Sequence, residues 1–145
     1  MNVIELVPFR FAHLEYIKPN AVQTDEWAAL LQGDAEHILS TGPAMSLFQS
    51  GVCLGAAGLV CHWKGRAEAW ALFADSVGVV PMRHALRCMR SVIQSSGFRR
   101  IDMVVRKGNI HGHVLARSLG FEMEAELQAY LPTGDNAYIY ARVKR

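Results

Sequence analysis

A change of hydrophobic period in mid-chain constrains the fold more than any other feature of this sequence. From Met45 to Ala74 the chain reads as three extended segments: Met45–Gln49, Val52–Trp63 and Ala67–Ala74. Ser50-Gly51 and Lys64-Gly65 join them as tight turns, which predicts an antiparallel meander. After Ala74 the period becomes helical. Pro81 to about Ser95 carries Leu86, Met89, Val92 and Ile93 on one side and Arg83, Arg87 and Arg90 on another, with Pro at the favoured first helical position. Gly97 stops that helix, and Ile101–Val105 is again an apolar strand. A strand joined to a strand through a helix is a parallel crossover, expected to be right-handed. Ala67–Ala74 and Ile101–Val105 are therefore predicted to be parallel neighbours.

The flanks extend this frame. Val3–Pro8 reads as a first strand and Arg10–Ile17 as a short helix with Phe11, Leu14 and Ile17 on one face. Thr24 can cap a second helix whose apolar face is Trp27, Leu30 and Leu31. A later helix starts at Asn109 or Ile110 and ends at Leu119-Gly120. Phe121–Leu131 is a strand, Thr133-Gly134-Asp135 a turn and Ala137–Val143 a closing strand. The predicted order is β, α, α, β, β, β, α, β, α, β, β. That is an α/β (α+β) chain with a mixed sheet of about six or seven strands and helices on both faces.

With 145 residues, 51% hydrophobic and 19% charged, the composition predicts one folded domain spanning residues 1–145. The formal charge of +2 gives no footprint for a nucleic-acid partner, although it suits a phosphate-bearing cofactor. Three cysteines, Cys53, Cys61 and Cys88, follow no disulfide framework and predict a reducing, cytoplasmic setting. Cys53 and Cys61 lie about 27 Å apart at the rise of a strand, too far to share a metal. His111 and His113 sit two apart on a helix and diverge, unlike the spacing of four used by zinc helices, so no metal site is predicted. No apolar run of about 18 residues is present to span a membrane.

The stretch from Asn109 through Leu119-Gly120-Phe121 opens a helix with Asn and closes it with Leu-Gly-Phe. A tail follows with Glu122, Glu124 and Leu127, then Asp135, Tyr138, Tyr140 and Arg142. Together with the element order, these residues resemble the GNAT N-acetyltransferase superfamily. The segment Gly65–Trp70 with this tail is similar to small GNAT-like proteins of phage genomes. The resemblance implies the GNAT acyl-CoA N-acyltransferase fold, with acetyl-CoA or another acyl-CoA as cofactor. It implies transfer of the acyl group to an amine by direct attack.

Several site residues follow from that resemblance. Backbone groups of Leu72, Phe73 and Ala74 are expected to contact pantetheine and the oxyanion. The diphosphate is expected at the head of the Pro81 helix. There the stretch Asp75–Arg87 has a single glycine, Gly78, with none at the helix start, and Pro81 removes an N–H donor. Arg83, His84 and Arg87 are the side chains expected to compensate. Asn109 either touches the cofactor or caps its helix. Glu68, early on the central strand, is the candidate base; Ala67, Ala69 and Ala71 form the small opposite face. Ala116 stands where many GNAT enzymes carry the Tyr that protonates the leaving thiolate, so that proton is expected from elsewhere or from water; Tyr130 and Tyr138 are candidates for a late acid or for walls of the acceptor site. The glycine-poor loop and Ala116 also support an alternative: a catalytically degenerate GNAT-fold phage protein with a structural role. A homodimer, and residence in the host cytoplasm or virion, belong to the same set of expectations.

Overall fold

The computed structural model describes residues 3–18, 23–24 and 34–145. Its strands are β1 (Ile4–Pro8), β2 (Ala44–Gln49), β3 (Val52–Trp63), β4 (Arg66–Phe73), β5 (Arg100–Arg106), β6 (Glu122–Leu127) and β7 (Ala137–Val143). They form one 7-stranded sheet in the order β1-β2-β3-β4-β5-β7-β6. The predicted meander is present, with β2, β3 and β4 antiparallel in sequence. Its turns use left-handed backbone at Ser50 and Gly51 (φ 49° and 80°) and at Gly65 (φ 94°). The parallel pair is β4 with β5, joined by the helical crossover.

The helical elements are a 3-10 helix at Phe11–Tyr16, then α1 (Ala35–Leu39), α2 (Val79–Ser95) and α3 (Ile110–Ser118). They cover both faces of the sheet. On one face, Ala85, Met89 and Ile93 of α2 and Ala116 of α3 pack on Leu47, Ala57, Ala67, Ile101, Met103, Val105 and Tyr140. The spacing of four between the buried residues Pro81, Ala85, Met89 and Ile93 leaves Arg83, Arg87 and Arg90 outward. On the other face, Leu14, Ile17 and Leu39 pack on Cys53, Ala56, Val60 and Leu72. Thus β3 and β4 are covered on both sides, which explains the nearly unbroken apolar run of β3.

Some boundaries differ from expectation. The helix predicted to open at Pro81 begins at Val79, with Gly78 as its N-cap. Pro81 is its third residue, a position whose N–H would lack an intrahelical partner anyway. The expectation of no glycine at the helix start is thereby corrected. β6 ends at Leu127 and not at Leu131, because the chain turns at Gln128 and Ala129, the latter with φ 49°. α1, of 5 residues, was not predicted; one turn and a half gives too little periodicity to register. Of the helix predicted after Thr24, Trp27, Leu30 and Leu31 lie outside the described residues.

Candidate functional site

The parallel ladder between β4 and β5 is short. It pairs Arg66 with Arg100, Ala67 with Ile101 and Glu68 with Asp102, and goes no further. Both strands continue beyond it, β4 to Phe73 and β5 to Arg106, so the pair opens into a fork. Backbone direction follows from two bonds. Arg100 N donates to the Gly65 carbonyl at 2.9 Å, and Ala74 N donates to the Leu54 carbonyl of β3 at 2.9 Å. Peptide groups alternate sides along a strand. Hence the odd-numbered residues Ala69, Ala71 and Phe73 turn their main chain to the fork, and the even-numbered ones turn it to β3. Of the expected set Leu72, Phe73 and Ala74, only Phe73 offers backbone groups to the opening. Ala71 is the residue that sequence reasoning missed, because strand parity is invisible without the register. Its carbonyl accepts a hydrogen bond from Gln23 Nε2 at 3.1 Å. Gly55 lies opposite Phe73, and a Cβ there would overlap the Phe73 ring, so glycine lets that ring lie over β3 beside the fork.

An ion cluster holds the closed end. Asp102, 1% exposed, accepts a two-point contact from Arg66 (2.9 and 3.1 Å) and a single bond from Arg100 Nε at 2.9 Å. Arg100 also grips Glu124 of β6 with two bonds of 2.8 Å. Hydrogen bonding to Asp102 raises the Arg66 pKa. Bonding to Glu124 foremost does the same for Arg100, and Arg100 in turn holds the Glu124 carboxyl below its ordinary value.

An open groove of about 710 Å³ lies at the head of α2, lined among others by Val77, Gly78, Met82, Arg83, Arg87 and His111. Gly78 caps the helix through backbone alone, and Met82 N bonds back to its carbonyl. The first-turn amides of Val79 and Val80 are left without intrahelical acceptors at the positive end of the helix dipole. Arg83 and Arg87 are exposed and make no hydrogen bond or ion pair among the described residues. Arg90 is committed differently, donating to the Ser118 carbonyl at the end of α3 (3.0 Å). The structure thus brings Arg83 and Arg87 together in the groove. His84, though exposed, is not among its lining residues; His111 of α3 takes that place.

Asn109 acts as a helix cap. It is buried, and its Oδ1 accepts from Gly112 N at 3.0 Å. A side chain at Gly112 would strike Val105 and Asn109 itself. His113 points into the core, away from His111. Its Nε2 lies 2.8 Å from the Lys107 carbonyl, which can only accept, so Nε2 carries the proton and Nδ1 accepts from Tyr140 Oη at 2.8 Å.

Glu68 faces the opposite side of the sheet, where Oε1 lies 3.0 Å from His62 Nε2. A bulge in β3 builds this pair: Cys61 opposes Ala67 and Trp63 opposes Arg66, leaving His62 as the extra residue. Both side chains are about one-third exposed, 33% for His62 and 38% for Glu68, so water reaches them. Tyr130 is 56% exposed on the β6–β7 connection, and no bond of its hydroxyl ties it to Glu68 or the fork. Arg106 Nη2, 3.3 Å from Thr133 Oγ1, anchors that connection to the end of β5. Ala116 is fully buried.

The mixed 7-stranded sheet with helices on both faces superposes on solved acetyltransferases of the GNAT fold. The chain superposes over 97% of its length on 99% of a ribosomal-protein-alanine N-acetyltransferase from Brucella melitensis, with a TM-score of 0.71 at 15% identity. It matches a probable acetyltransferase from Staphylococcus epidermidis over 100% of both chains, with a TM-score of 0.73 at 13% identity. For an IAA acetyltransferase from Bacillus cereus the values are 99% and 100% coverage, a TM-score of 0.66 and 13% identity. By sequence, no family model and no curated protein matches the chain. The chain therefore has the GNAT fold, as its element order predicted. No helix among the described residues is long and apolar enough to cross a membrane.

Proposed function

We propose that this protein is an acyl-CoA-dependent N-acyltransferase. The observation that carries the reading is the fork: beyond Glu68 and Asp102, main-chain groups of two adjacent strands are released from each other. A pantetheine arm, with its two amides, has the chemistry to bond such groups as a missing strand would. The diphosphate then falls to the head of α2. There the Val79 and Val80 amides and the Arg83 and Arg87 guanidinium groups supply donors. Acyl-CoA fits these residues and supplies the thioester.

The chain's own groups then have definite work. Ala71 and Phe73 N–H donate to the carbonyl oxygen as it gains charge. Glu68, held by His62, takes the amine proton through a water as nitrogen attacks the thioester carbon. The C–N bond forms, the C–S bond breaks and the thiolate collects its proton from water or from Tyr130 on the β6–β7 connection. The acceptor is an amine.

A second reading rests on Ala116, a buried methyl where a proton donor is expected, and on Pro81, which removes a donor from the helix head. It makes the chain a binding or structural member of the fold, of the kind found in phage particles. Calorimetric titration with CoA and acetyl-CoA separates the two. The enzyme reading expects saturable binding and a melting temperature raised by several degrees. Arg83→Ala and Arg87→Ala should each weaken binding roughly 10-fold, the loss of one charge-assisted contact. No binding at millimolar CoA rejects the enzyme.

A further inference from the structure

Between the sheet and α2 lies a cavity of about 100 Å³. Its walls include Ala57 of β3, Ala69 and Ala71 of β4, Met89 and Ile93 of α2 and Met103 of β5. These side chains belong to the main core cluster or pack against it. Ala67, one step nearer the closed end, is completely buried. The small residues further up β4 instead border empty space.

The position of this space gives it meaning. Ala69 and Met103 are the first residues of β4 and β5 past the last ladder pair, Glu68 with Asp102. They line the cavity and are also the two lips of the fork where it starts to open. A thioester brought down the fork from the head of α2 arrives at this point, with its acyl group directed at the cavity. The wall is almost wholly hydrocarbon and sulfur, so neither water nor a polar acyl group finds partners there. Met45, Met89 and Met103 can adjust around an inserted chain. By proportion to a cavity of about 150 Å³ that accepts benzene, this one holds about four carbons.

We infer that the cavity at the base of the β4–β5 fork is an acyl-chain pocket. It selects unbranched acyl groups of about four to six carbons over acetyl. The inference rests on the acyl-CoA reading above and adds the identity of the group transferred.

Titrating the full chain with CoA, acetyl-, butanoyl-, hexanoyl- and decanoyl-CoA tests it. Affinity should climb about fourfold for each methylene buried, level off near hexanoyl and gain nothing at decanoyl. In Ala57→Val, which puts two methyl groups into the cavity from β3, the climb should flatten while CoA itself binds as before. Ile93→Phe fills it from α2 and should act alike. Failure of every ligand, CoA included, rejects the acyl-CoA reading and this inference with it. CoA binding with acyl chains no tighter than acetyl overturns the pocket and leaves the acyltransferase standing. An undiminished climb in both filled variants also overturns it, since the chain then lies elsewhere. If the variants fail to fold, the chain-length series on the unmodified protein decides alone.

Discussion

Glu68 and His62 show how a single backbone irregularity brings two polar side chains into contact. On the acyltransferase reading proposed above, this contact is what fixes Glu68 as the base. Glu68→Gln keeps the shape and removes the proton acceptor. Turnover should fall about 100-fold or more, with CoA affinity unchanged in calorimetry. Turnover of His62→Gln should fall less, while the fold stays intact. If Glu68→Gln turns over normally, the base lies elsewhere. Glu68 was legible in the sequence because strand and turn together place it. His62 was not: the Lys64-Gly65 turn alone puts it opposite Ala67, and only the bulge redirects it to Glu68. Arg83 and Arg87 were legible from helical spacing near a helix start. His84 sits beside them in sequence yet lines no part of the groove. Asn109 carried two readings, and the bond to Gly112 N favours the cap.

At the level of elements, the fork depends on what keeps its closed end shut. Asp102 is buried between two arginines from neighbouring strands, and a carboxylate in that position stabilises the pair only while both partners remain. Asp102→Asn leaves Arg66 and Arg100 facing each other with their shared counter-charge gone. The expected loss is about 3 kcal/mol, seen as a fall of roughly 10 °C in melting temperature. Arg66→Met together with Asp102→Leu should cost much less, since no lone charge remains. A melting temperature unmoved by Asp102→Asn would show that the cluster does not hold the ladder. The order of elements was open to reading because period 2 and period 3.6 alternate cleanly along the chain. Their ends were less so. Pro81 fits any position of a first turn whose N–H is unneeded, so proline alone could not say that the helix had begun at Val79. The extent of the ladder was also hidden, since Ala69, Ala71 and Phe73 suit a paired strand as well as a parted one.

Over the whole molecule, one titration ties the outer layer to the sheet. His13, on the 3-10 helix, has its Nδ1 2.7 Å from Ser46 Oγ of β2 and accepts from Arg10 N at 3.1 Å. Burial first, and then the Arg10 charge, lower its pKa below the ordinary 6.5. The unfolded chain therefore binds this proton more readily than the folded one. Its contribution is fully present above pH 6.5 and is lost as pH falls through the lowered folded value. Melting temperature should drop between pH 7.5 and pH 5, and His13→Asn should reduce that slope. An identical slope in the variant would assign the loss to other groups. Glu124, held low by Arg100, adds a separate loss only in more acid solution, below its unfolded range near 4.5.

The parted strands have one more consequence. Peptide groups are the same at every position, whichever amino acid bears them. A recognition surface assembled from them is inherited with the course of the chain and not with its letters. Mutation can rewrite most of β4 and β5 and leave the course of their main chain unaltered. That is how chains alike at barely one position in seven can still trace the same fold.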